Sequence, residues 1–144
     1  MQQIVRNHLI RRIFSIYAVL MSLLLNSALA ENTDSAVTQV TQSQNYVVTL
    51  TPVSTPVEVG EIHGWTLTLQ NREGETVNGA VIKVRGGMPH HGHGFPTHPV
   101  VSGQLESGDY LLEGLKFSMK GAWVIELNIS VDGTSDKVRF NLDI

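Results

Sequence analysis

The fold class that the sequence predicts is all-β: a single antiparallel β-sandwich of about seven strands. Three observations lead there. From residue 46 onward, short runs rich in Val, Ile, Thr, Tyr and Trp recur at regular spacing, separated by Gly, Asn, Asp and Pro. The longer runs alternate apolar with polar residues, the period-2 pattern of a strand with one buried face. No amphipathic pattern of helical period follows residue 30.

The elements follow in order. Residues 46–51 (YVVTLT) form a strand stopped by Pro52, and residues 57–59 a short edge segment between Pro56 and Gly60. Residues 62–70 place Trp65, Leu67 and Leu69 on one face and Thr66 and Thr68 on the other. A turn over residues 71–75 leads to a strand at 80–85, which Gly86-Gly87 ends. A short strand at 100–101 and a turn at 106–109 precede the strand at 110–113, which continues past Gly114 as residues 115–119. The clearest strand carries Trp123, Ile125, Leu127, Ile129 and Val131 on one face. Asp132-Gly133 then signals a hairpin into a last strand bearing Val138, Phe140, Leu142 and Ile144. Gly108-Asp109-Tyr110 resembles the tyrosine corner of immunoglobulin-like sandwiches, so the fold is read as immunoglobulin-like. Trp65 and Trp123 are read as core, and His63 as structural or exposed.

Composition narrows the function classes. The chain has 144 residues, 42% of them hydrophobic and 16% charged, with a formal net charge of −3. One domain is expected from that length, and nothing has the clustered basic excess of a nucleic-acid surface. The absence of Cys excludes disulfides, thiolate metal sites and thiol nucleophiles.

The first thirty residues read as a secretory signal peptide. Arg6, Arg11 and Arg12 precede an apolar run over residues 13–25, and Ala28-Leu29-Ala30 supplies a cleavage pattern. A retained anchor is the alternative, although a spanning helix calls for about 20 apolar residues. Cleavage after Ala30 leaves residues 31–144 in the periplasm or outside the cell, with no stable membrane span. Seven Lys and Arg then stand against thirteen Asp and Glu, a balance of −6. Residues 31–45, rich in Thr, Ser, Gln and Asn, are expected to be a flexible leader ahead of a domain over 46–144.

One segment carries chemistry. Residues 86–99 read GGMPHHGHGFPTHP, with four of the five histidines of the mature chain and no charged residue. Neutral imidazole is the commonest protein metal ligand. His91 and His93 stand on one side of the chain if it is extended there, because side chains alternate. His90 then points away unless Pro89 or Gly92 turns the backbone. His98 can return across a turn at Phe95-Pro96. Met88 supplies a thioether at the loop entrance, and Met119, at the end of another strand, can approach the same rim. Thioether with imidazole suits copper, and imidazole alone also suits zinc.

The segments MPHHGHG (88–94) and GDYLLEGLKFSMKGAW (108–123) resemble the YtkA-like domain, related to FixH-like proteins. The resemblance covers residues 60–144. It implies an extracytoplasmic immunoglobulin-like sandwich, and FixH-like members are associated with copper supply to a respiratory oxidase. By that likeness Met88, His90, His93 and Met119 are the first metal candidates, followed by His91 and His98. The chain departs from the FixH-like pattern in its cleavable leader and richer His loop.

The expected function is a small periplasmic copper-binding protein that chaperones, buffers or exchanges copper with a periplasmic donor or recipient. The alternatives are a zinc-binding His loop and a metal-independent interaction module with Phe95 as the apolar tip of the loop. No enzyme is expected. The loop has no carboxylate to act as a base, and no G-x-S-x-G nucleophile motif occurs.

Overall fold

The computed structural model describes residues 35–144, so the signal peptide expected over residues 1–30 lies outside the described residues. Among the described residues no helix is long and apolar enough to cross a membrane. Nine strands form two antiparallel sheets. They are β1 (Val37–Val40), β2 (Tyr46–Pro52), β3 (Ile62–Asn71), β4 (Val81–Met88), β5 (His93–Gly94), β6 (Val100–Gln104), β7 (Tyr110–Lys116), β8 (Ala122–Val131) and β9 (Thr134–Asp143). One sheet has the order β1-β2-β3-β7-β6 and the other β5-β4-β8-β9. The result is the antiparallel β-sandwich that the alternating pattern predicts.

The alternating strands bury the faces expected of them. Trp65, Leu67 and Leu69 of β3 and Trp123, Ile125, Leu127 and Ile129 of β8 are buried, as are Val138, Phe140 and Leu142 of β9. Both tryptophans are fully buried. Each apolar side chain of Leu or Ile size moved from water contributes about 1.5–3 kcal/mol, so this shared core is the main stabilising term in a domain without disulfides. The β8–β9 hairpin closes through Asp132 and Gly133, at φ 49° and 81°. Positive φ at both residues is the two-residue turn that matches strand twist.

Five expectations need correction. The stretch expected as a flexible leader contains β1, whose Val37–Val40 pairs with Leu50 to Val47 of β2. Val37 and Thr41 are buried, and the Asp136 carboxylate on β9 accepts the Ser43 N–H at 3.0 Å and the Asn45 amide at 3.3 Å. A polar segment with one well-placed valine thus gains its order from tertiary contacts. Residues 57–59 form no strand; the bonds around them include Gly60 N–H to Phe117 O and the His63 Nε2–H to Glu58 O, both 2.8 Å. Gly86 and Gly87 continue β4 instead of ending it. β7 ends at Lys116, so residues 117–119 are not strand. Tyr110 makes no corner with nearby upstream backbone; its hydroxyl donates to Val77 O and accepts from Ala80 N–H, both at 2.9 Å, tying down the approach to β4.

Candidate functional site

The histidine segment lies at one end of the four-stranded sheet. β4 carries Ile82, Val84 and Met88 toward the core at alternate positions, so Met88 ends the strand pointing inward and is only 2% exposed. It is therefore a buried residue at the end of a strand, not a loop residue. The chain then makes a single 3-10 turn, Pro89–His91, closed by Gly92 at φ 68° with its N–H on Pro89 O. Proline suits the first position of such a turn and glycine its left-handed exit. The chain returns as β5, which sets His93 opposite Met88 and Gly94 opposite Gly87.

The tight return depends on Gly87. A Cβ there would lie 2.3 Å from His93 O and 2.5 Å from the Gly94 Cα. At Gly86 a Cβ would meet the Val124 carbonyl oxygen at 2.0 Å and the Phe95 ring at 2.8 Å. The two glycines thus let β5 and Phe95 sit directly on the sheet. Phe95 is not an exposed tip: its ring stacks on Trp123 at 5.6 Å and 10°.

Cross-strand partners share a face, with Cβ atoms about 4.5–5.5 Å apart, so His93 and Met88 leave the two strands on the same side. The His93 ring also meets Trp123 edge-on at 5.9 Å. Its Nδ1–H donates to Gly94 O at 3.0 Å. In the neutral ring that bond leaves the lone pair on Nε2. The His91 ring lies 6.0 Å from that of His93. His91 reaches this place from the 3-10 turn and not from an extended chain, and both histidines are exposed.

The other candidates are arranged around this pair. His90 shares the turn with His91 and is exposed. His98 is carried toward the other sheet: Thr97 Oγ1 donates to Gly114 O at 2.6 Å, and His98 O passes over Gly114 of β7. Met119 is 41% exposed in the β7–β8 connection, where its carbonyl accepts the Trp123 Nε1–H at 2.9 Å. Two residues on, a Cβ at Gly121 would be 3.2 Å from the Met88 methyl. The Met88 methyl, the Met119 carbonyl and the His93 ring therefore all lie near Gly121 and Trp123, where β8 begins. Among the described residues no three His, Asp or Glu side chains stand close enough to hold a metal ion.

The spacing of two of these side chains can be compared with that of imidazoles on one ion. With metal–nitrogen bonds of about 2.0 Å, two imidazoles sharing an ion have ring centroids up to about 6 Å apart. The His91 and His93 rings, 6.0 Å apart, fall within that limit. The pattern of histidines signalled these residues. Gly87, Gly121, Phe95 and Trp123, which shape the site, carried no chemical signal; only the unusual Gly-Gly ahead of Met88 could have pointed to a close backbone approach.

Fold and site together describe a small β-sandwich domain with a histidine-bearing turn beside Met88 at one end. The chain belongs to the YtkA-like family, whose family model matches residues 40–128. The comparison with curated proteins gives no match, nor does the comparison with solved structures.

Proposed function

We propose that this YtkA-like protein is a periplasmic or secreted copper-binding protein that holds Cu(I) at the β4–β5 end of the sandwich and exchanges it with a partner. The observation that carries the reading is the His91–His93 ring pair, 6.0 Å apart, with Met88 in register opposite His93. His91 Nε2 or Nδ1, His93 Nε2 and Met88 Sδ are the proposed ligands. Met119 and His90 stand next in line at the same end, and His98 is a donor that needs the 95–99 segment to move. Exposed imidazoles above a buried thioether suit ligand-by-ligand transfer. The resemblance to FixH-like proteins points the same way. The reading is of binding rather than catalysis, since the segment offers ligands and no carboxylate base.

A metal-independent interaction module is the second reading, favoured by the lack of a three-residue His, Asp or Glu cluster among the described residues. Anaerobic competition titration with a Cu(I) chelator separates the two. The copper reading predicts one-to-one binding by the protein and at least roughly tenfold weaker binding by His91→Ala/His93→Ala, the loss of about 1.4 kcal/mol or more. Failure to retain Cu(I) under competition rejects it. Retention of Zn(II) alone would assign a histidine zinc site.

A further inference from the structure

The outer face of the four-stranded sheet carries a charge pattern opposite to that of the domain. The described residues hold seven Lys and Arg against eleven Asp and Glu, a balance of −4. Four of the seven cations, Lys83, Arg85, Lys137 and Arg139, lie on this one face, all exposed. Register sorts them into two rows. Lys83 pairs with Asn128, which pairs with Lys137; Arg85 pairs with Glu126, which pairs with Arg139. In the second row Glu126 accepts from Arg139 at 3.3 Å, leaving Arg85 as the excess charge. In the first row two lysines flank a neutral asparagine, with no acid between them. Asp143, on the same face of β9, lies four residues beyond Arg139 at the strand's end, about 13 Å along the chain.

These side chains line a groove of about 510 Å³. A second groove of about 410 Å³, lined by Gly87, Gly92, His93 and Val124, shares Glu126 and Arg139 with it. The basic face therefore runs without a break to the backbone of the histidine turn.

We propose that this face docks an acidic segment of a partner protein, lying over β4, β8 and β9 and running along the strand direction. The two rows are two residues apart along the strands, about 6.6 Å. That is also the spacing of acidic side chains at alternate positions of an extended chain. The first row takes one carboxylate between Lys83 and Lys137, and Arg85 takes the next. A bilayer fits less well. Surface binding combines basic side chains with inserted apolar ones, and among the described residues the only exposed large apolar side chain on this face is Val81. The proposal stands on the charge of the sheet and is independent of the metal reading.

The test is fluorescence anisotropy of a labelled peptide with glutamate at every second position, titrated with the full-length protein. Binding should weaken with salt, since exposed pairs are screened. Lys83→Glu/Lys137→Glu should weaken it at least roughly tenfold, and Glu126→Gln should strengthen it. Lys83→Gln/Lys137→Gln, a milder change, serves if the reversed pair fails to fold, and circular dichroism checks each variant. Cu(I) affinity should be the same in all of them. Equal peptide binding by wild type and the lysine variants would overturn the proposal. So would displacement of the peptide by inorganic phosphate at equal concentration, which would mean a small-anion site, or binding to phosphatidylglycerol vesicles without binding to the peptide.

Discussion

At the scale of single residues, Gly87 decides whether β5 can pair with β4. Its φ of 146° is unfavourable for an L side chain, and any Cβ would strike the β5 backbone. Gly87→Ala should therefore separate β5 from β4 and cost about 1–3 kcal/mol. Thermal unfolding reads the cost, and Cu(I) titration should show affinity falling although no ligand is changed. An unaltered unfolding temperature would mean that the close approach does not hold β5 in place. Asp136 is the second decisive residue. Burial pushes its carboxyl up, but the N–H of Ser43, the Thr41 hydroxyl and the N–H of Lys137 together outweigh that and hold it below its ordinary value of 3.8. A lowered folded value contributes stability that is present above the unfolded value and lost as pH falls through the folded one. Acid titration of stability should show this loss below about pH 4, and Asp136→Asn should flatten it while leaving β1 and the turn after it less protected from hydrogen exchange.

At the scale of elements, β8 unites core and site. Trp123 fills the core, stacks on Phe95, meets His93 and binds the Met119 carbonyl. Trp123→Ala should cost about 3–5 kcal/mol, measured by denaturant unfolding, and metal binding should fall with the fold. By contrast, His91→Ala/His93→Ala should leave stability within about 0.5 kcal/mol, because both side chains are exposed. A large loss of stability there would mean the histidine turn is structural. β3, β8 and β9 were legible in the sequence because one buried face imposes strict alternation. β1 was not, since only Val37 of its four residues is buried and its order comes from β2 and Asp136. β5 was not either: two exposed residues carry no pattern, and their pairing follows from backbone room at Gly87.

At the scale of the whole molecule, the sandwich and the location of the chemistry could be read from the chain, but the arrangement of donors could not. Alternation suggested that His91 and His93 converge on an extended chain; they come together through a 3-10 turn instead. Met88 looked like a loop residue and is instead part of the core, because the β4 alternation runs through both glycines. His98 was close in sequence and is drawn to the opposite sheet by Thr97 and Gly114. Such outcomes depend on backbone geometry at glycines and prolines, which composition announces without specifying. The same topology sets the basic face of β4, β8 and β9 beside the histidine turn, the grooves of the two sharing Glu126 and Arg139.

The measurement that bears most directly on the central claim is copper K-edge X-ray absorption of the Cu(I)-loaded protein. The account predicts a shell of two nitrogen scatterers and one sulfur, with the sulfur lost in Met88→Leu and retained in Met119→Leu. A shell of nitrogen or oxygen alone in the wild-type protein, or sulfur that persists in Met88→Leu, would contradict a site built from His91, His93 and Met88.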